Sequence, residues 1–282
     1  MLAAMPAVFV LIWSTGFVVA RLGMPHAPPL TFLAWRYAFS ILAMGGWALL
    51  ARARWPRDPE QWGHLAVSGV LMHAGYLGGV WAAIKAGAPA GTVALIVGLQ
   101  PMLTAVWVSA RGHHRVEAAQ WLGLLLGLGG LALVVWHKMG GELTSGNLLL
   151  SLAALASITA GTLYQKAHVR PVDVRSGNCV QMVAALAVSL PLALLEPGRV
   201  DLQPGLVAAM AWSVLVLSLG GSSLLMLLIQ RGAATRVTSL MYLVPPCTAV
   251  LAWLLFGEPI TAVTLVGMAL CAAGVALVMR GG

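Results

Sequence analysis

Charged side chains in this chain fall almost entirely between long apolar runs, and that arrangement decides what it can fold into. Ten runs stand out, at approximately 3–21, 30–50, 64–85, 90–110, 118–137, 147–166, 177–195, 204–229, 233–256 and 260–279. Each is close to the ~20 residues that a helix needs to cross ~30 Å of hydrocarbon at ~1.5 Å per residue. Only 9% of the residues are charged, against roughly a quarter in a soluble domain. The expected fold class is therefore an all-α membrane protein with ten transmembrane helices, joined by loops too short to hide a soluble domain.

The net charge of +8 would point to nucleic acid in a soluble protein, but here the cations mark topology. Loops after even-numbered runs, with the C-terminus, carry Arg52, Arg54, Arg57, Arg111, Arg115, Lys166, Arg170, Arg175, Arg231, Arg236 and Arg280. Those after odd-numbered runs carry only Arg21, Lys85, Lys138 and Arg199, and Arg36 alone sits within a run. Eleven against four places both termini in the cytoplasm by the positive-inside rule, in a multi-pass cytoplasmic (inner) membrane protein. Met1 to Ala20 lacks the basic segment that opens a cleavable signal. Cys179, Cys247 and Cys271 lie in apolar stretches without CxxC spacing and read as small core residues, so no metal and no cofactor is expected.

Sliding the chain against itself by 145 residues superposes Gly16 on Gly161, Gly75 on Gly220, Gly87 on Gly232, Pro101 on Pro246 and Gly129 on Gly274. At the same offset Arg21 meets Lys166, Arg36 meets Gln181, and His73 meets Ser218. The chain then divides into a first set of five helices at 1–140 and a second at 145–282. Five is odd, so the second set enters from the opposite side of the membrane. Such an inverted repeat is a transporter signature, because its halves can exchange inward-open and outward-open shapes.

Several local motifs sit in order along this frame: Trp13-Ser14-Thr15-Gly16-Phe17, Trp35-Arg36-Tyr37, Leu99-Gln100-Pro101, Val244-Pro245-Pro246 and Phe256-Gly257-Glu258-Pro259-Ile260-Thr261. In these the sequence resembles the EamA-type members of the drug/metabolite transporter superfamily, over its whole length, and is most similar to the aromatic amino acid exporter branch. Gly112-His113-His114 departs from the pattern, standing where the second repeat has Gly257-Glu258. The resemblance implies two inverted five-helix repeats and export of amino acids, aromatic and other apolar ones favoured, with related metabolites, by alternating access. It also implies that helices four, five, nine and ten form a supporting side away from the central cavity. The alternative it implies is a multidrug or nucleotide-sugar carrier. The expected partners are a small-molecule substrate and membrane lipids, with no nucleic acid, for a monomer or homodimer.

A polar side chain at membrane depth costs roughly 2.5–3.5 kcal/mol when it is a central Arg, so each one needs a reason. Arg36 either meets a substrate carboxylate or a carbonyl lining the path, or snorkels along its own stem to the headgroups. His73, near the middle of its run, and Tyr76 three residues on share a helix face that suits a zwitterion, or else bond a neighbouring helix. Ser218 is the repeat equivalent of His73, and Ser222 lies one turn further on. Gln100, Thr104 and Trp107 form a stripe beside Pro101, whose missing N–H frees a carbonyl; Pro245 and Pro246 repeat that break just after Tyr242. Tyr164, Gln181, Ser157 and Trp13 complete the candidate substrate-binding set. Gly123, Gly127 and Gly129-Gly130 are expected to bring the fifth helix close to a neighbour.

All eight carboxylates (Asp58, Glu60, Glu117, Glu142, Asp173, Glu196, Asp201, Glu258) fall in loops or at helix ends, which disfavours the buried-acid mechanism of cationic drug antiport. There is no Walker A motif, so ATP does not drive transport from this chain, and no constellation such as HExxH or a Ser/His/acid set argues for an enzyme. Coupling to protons through His73 and simple facilitated diffusion are both consistent with the sequence.

Overall fold

A computed structural model describes residues 5–111, 118–139, 141, 143–230 and 243–280. They form ten helices: α1 Met5–Gly23, α2 Pro29–Leu50, α3 Pro59–Lys85, α4 in two pieces Ala90–Val97 and Gln100–Arg111, and α5 Ala118–Lys138. The second set is α6 Ser145–His168, α7 Val174–Leu195, α8 running through Pro204–Trp212, Ser213–Ser222 and Ser223–Gln230, α9 Val244–Phe256, and α10 Ala262–Arg280. Tyr242, Arg231, Arg236, His113 and His114 lie outside the described residues. Six helices are long and apolar enough on their own to cross a membrane, and α1, α4, α9 and α10 contribute shorter apolar stretches. The chain is a multi-pass membrane protein.

Helix ends follow local chemistry more than hydropathy. α3 begins at Pro59, earlier than the apolar run, because the Asp58 carboxylate accepts the Glu60 N–H at 3.0 Å and Pro59 needs no donor in the first turn. Thr144 and Asn147 cap α6 reciprocally. Asp173 caps α7 by accepting the Arg175 N–H at 3.0 Å, and the Arg175 side chain, hydrogen-bonded to it, holds its carboxyl below the usual carboxylate range. Gly257 closes α9 at φ +67°, a left-handed turn that glycine adopts without strain.

Packing obeys an approximate two-fold relation between the sets. α2 packs on α7, α4 on α9 and α5 on α10, each pairing a helix with its own repeat equivalent. Further contacts between the sets come as exchanged pairs: α1 on α8 with α6 on α3, α1 on α9 with α6 on α4, and α2 on α8 with α7 on α3. These are two inverted sets of five. Lipid supplies no hydrophobic drive between helices, so close approach at small residues has to supply the attraction. A Cβ on Gly130 would stand 2.6 Å from the Gly267 carbonyl oxygen, and one on Gly274 would strike the Gly123 carbonyl. Gly129 faces open space and takes no part.

The two ends of the bundle are tied differently. At one, the Glu196 end, the Glu196 carboxylate accepts the N–H of Leu30 and Thr31, Glu258 accepts the Ala90 N–H, and Lys85 donates to the Met24 carbonyl at 2.6 Å. At the other, the Asp58 end, Arg170 reaches Asp58 at 3.0 Å and Glu60 at 3.3 Å, and Gln61 donates to the Arg170 carbonyl. Exposed pairs of that kind contribute only about 0–1 kcal/mol each.

Candidate functional site

The middle of α3, Val70–Gly75, is a π-helical segment, and so is Ser213–Ser222 of α8. Shifted by the 145-residue offset, Val70–Gly75 falls at 215–220, inside the second segment. A π-turn widens the helix and leaves carbonyls to be satisfied by side chains, which is why such turns gather at functional positions. In α3 they are taken by other helices: Tyr37 of α2 donates to the His73 carbonyl at 2.9 Å, and Ser157 of α6 donates to that of Leu71 at 2.8 Å. In α8 the Ser222 hydroxyl turns back to the Leu217 carbonyl at 3.4 Å.

Each π-segment also receives a polar side chain from the repeat-equivalent neighbour. Arg36 Nε of α2 donates to Ser218 Oγ of α8 at 3.2 Å, and Gln181 of α7 meets His73 Nε2 of α3 at 3.3 Å. Because Arg36 superposes on Gln181 and His73 on Ser218, these are one contact made twice. The surroundings differ. The Gln181 amide nitrogen also donates to Ser68 Oγ at 3.2 Å and to Gln165 Oε1 at 2.8 Å, and Ser68 donates to the same Gln165 oxygen at 2.7 Å. That leaves Gln181 Oε1 to accept from His73, which assigns the Nε2–H tautomer and leaves Nδ1 as an acceptor. Gly69 lets the helices close there, since a Cβ on it would collide with the Gln181 backbone. On the other side Val214 occupies the equivalent position and no such network forms among the described residues.

Beside Arg36 lies a cavity of about 30 Å³, lined by Trp13, Gly16, Phe17, Arg36, Met72, His73, Tyr76, Leu77, Val80, Trp81, Leu217 and Ser222. That volume holds a water or two, so an amino acid requires the walls to part. The Trp13 and Tyr76 rings lie parallel with centroids 6.2 Å apart. Arg36 is only 3% exposed and has no ionic partner among the described residues, so it does not snorkel to the headgroups. A guanidinium carries five N–H donors, and one is accounted for.

Of the candidates, Trp13, Arg36, His73 and Tyr76 line this cavity. Ser218 touches it through Arg36, and Gln181 sits behind His73. Gln100 instead donates to Thr162 of α6 at 3.0 Å, away from the cavity. Ser157 is engaged with the Leu71 carbonyl, and Tyr164 lies at the Asp58 end, bonded to His64 Nδ1 at 2.8 Å and stacked on His168. The helix breaks lie elsewhere too: α4 breaks between Val97 and Gln100, so Pro101 falls in the first turn of its second piece. A Cβ on Gly98 in that break would stand 2.7 Å from Pro245 Cγ, so the two broken regions pack on each other. Pro246 borders the same α4–α9–α10 contact. Among the described residues, none of α4, α5, α9 or α10 lines the cavity. Sequence reading missed Phe17, Trp81 and Leu217 as lining residues, for they resemble every other apolar residue in their runs.

Comparisons with known proteins agree with this architecture. A probable amino-acid metabolite efflux pump of Salmonella typhimurium strain LT2 is 25% identical over 276 residues, 94% of this chain and 90% of that protein. The uncharacterized transporter YvbV of Bacillus subtilis strain 168 is 26% identical, over 98% of this chain and 90% of its own. The uncharacterized inner membrane transporter YedA of Escherichia coli strain K12 is 27% identical, over 96% and 88%. One solved crystal structure superposes with a TM-score of 0.70 at 18% identity, across 97% of this chain and 95% of that one, a likeness of fold alone. The model of the EamA-like transporter family matches twice, at residues 2–136 and 144–280, once over each set of five helices. The chain belongs to the EamA-like transporter family.

Proposed function

We propose that this protein exports amino acids, aromatic and other apolar ones favoured, and related metabolites across the cytoplasmic membrane by alternating access. The observation that carries this reading is the buried Arg36, with no acidic partner among the described residues, in a cavity walled by Trp13, Phe17, Tyr76 and Trp81. A buried charge left uncompensated costs several kcal/mol, and a substrate carboxylate offsets that cost only while it is bound. The flat ring faces then hold the apolar side chain, and His73 Nδ1 and Ser222 offer polar contacts at the wall.

The units that move are the halves 1–140 and 145–282, with the Asp58 end in the cytoplasm as the loop cations require. In the state described here α3 and α7 are locked by Gln181, Gln165, Ser68 and His73, toward the cytoplasmic half. α2 and α8 share a single hydrogen bond among the described residues. Exchange of those two packings opens the cavity to the other side. The similarity to the probable amino-acid metabolite efflux pump of Salmonella supports the substrate class.

Purified protein in liposomes, supplied with labelled phenylalanine, tryptophan and leucine, tests the reading. Protein-dependent flux that Arg36→Gln removes is expected. Absence of flux for every amino acid offered contradicts it.

A further inference from the structure

Resting on the reading that Arg36 meets the substrate carboxylate, we infer that the site prefers an apolar monocarboxylate whose amino nitrogen is acylated or absent over the free zwitterion. Among the described residues the cavity holds one fixed charge, the Arg36 guanidinium, and nothing of opposite sign. No Asp or Glu is among its lining residues, and the described carboxylates (Asp58, Glu60, Asp173, Glu196, Asp201 and Glu258) all sit in loops or at helix ends. His73 is committed through Nε2–H to Gln181, and its burial in the same cavity as the Arg36 guanidinium favours the neutral ring. Tyr37 is committed to the His73 carbonyl and Ser218 to Arg36.

A monoanion entering such a site neutralises it. A zwitterion brings a second cation, its ammonium, within two bonds of the carboxylate carbon and so close to Arg36. That group must give up water with no ionised partner, and it is repelled by the guanidinium in surroundings of low dielectric. The ring faces of Trp13 and Tyr76 can attract a cation, but such contacts are weaker than the ion pair that water exclusion demands here. Acylation of the amino group removes the charge and leaves one N–H, which the free Nδ1 of His73 is able to accept. Discrimination of this kind comes from an unpaired charge set against the wrong ligand.

The test uses the full chain, purified in detergent and in liposomes, with four probes of equal ring: phenylalanine, N-acetylphenylalanine, 3-phenylpropionate and phenethylamine. We expect N-acetylphenylalanine and 3-phenylpropionate to compete for binding at concentrations about tenfold or more below phenylalanine, and phenethylamine not to compete. Arg36→Gln should collapse that ranking, and Arg36→Lys, which keeps the charge, should retain its order. If phenylalanine is moved across liposomes and binds as tightly as its acylated form, this inference is overturned while the transport reading stands. If none of the four binds and none is moved, both fall together.

Discussion

The Arg36–Ser218 contact between α2 and α8 and the Gln181–His73 contact between α7 and α3 occupy equivalent places in the two halves, yet they are built to different tightness. On the α3–α7 side Gly69 admits the Gln181 backbone, Gly161 brings α6 so close that a Cβ on it would stand 2.6 Å from Met72 Cγ, and four polar side chains satisfy one another. On the α2–α8 side Val214 replaces Gly69, Gly16 stands off from Leu217 at an ordinary 3.8 Å, and a cavity opens beside the guanidinium. The lateral gap between α2 and α8 is lined by Trp35, Phe39, Leu206 and Met210. One symmetric plan thus yields a locked face and a loose one. What differs is the residue type at a few equivalent positions, and the charge sits on the loose side, beside the cavity.

The largest way to break this comparison is to remove the charge. Arg36→Gln gives both sides a neutral amide and is expected to lower kcat/KM for the preferred substrate by about 10- to 100-fold, the weight of one charge-assisted hydrogen bond. Flux in liposomes reads it, and stability should hold or rise because no partner charge is stranded. Unlocking the other face comes next. Gln181→Leu leaves Ser68, Gln165 and His73 with lost partners and should cost about 1–3 kcal/mol in the unfolding free energy, read by denaturant titration in detergent.

The paired glycines sharpen the contrast. Gly161→Ala pushes a methyl into Met72 and should cost about 1–3 kcal/mol, whereas Gly16→Ala meets only ordinary contact and should stay within about 0.5 kcal/mol. Equal costs would mean that the two faces are not packed differently. The smallest effect concerns the locked side's own helix. Asp173 caps α7 and its folded-state value is depressed by Arg175, so its stabilisation is present above the unfolded carboxylate range and is lost as pH falls below about 4. The carboxylate is partly exposed, so Asp173→Asn should remove well under about 1 kcal/mol at neutral pH, and should flatten that acid limb in a thermal scan.

How much of this was legible in the sequence follows from which physics is local. Apolar runs located the described helix ends to within about five residues, while the expected start of α9 at 233 lies outside the described residues; crossing a bilayer sets length and composition together. The 145-residue offset disclosed that Arg36 corresponds to Gln181 and His73 to Ser218. It did not disclose that the partners cross, Arg36 to Ser218 and Gln181 to His73, because equivalence under a repeat is not contact. The π-segments left no sequence mark; the carbonyls of the one in α3 are taken up by what α2 and α6 donate to it. Whether Arg36 faced lipid or the bundle depended on helix rotation, which only the packing of α2 against α7 and α8 fixes. The proline breaks misdirected attention: a missing N–H is plain in sequence, but what the broken regions serve is contact between α4 and α9, where Pro245 packs on Gly98.

The claim at the centre of this account is that the locked and loose faces exchange. With Cys179, Cys247 and Cys271 replaced, spin labels at Phe39 and Leu215 report the α2–α8 distance, and labels at Val67 and Val183 report that of α3–α7; all four side chains are exposed. Measured in liposomes with and without a transported substrate, the two distances should change in opposite senses, one population shortening across α2–α8 as it lengthens across α3–α7. Distances that stay fixed, or that change together, would contradict the account.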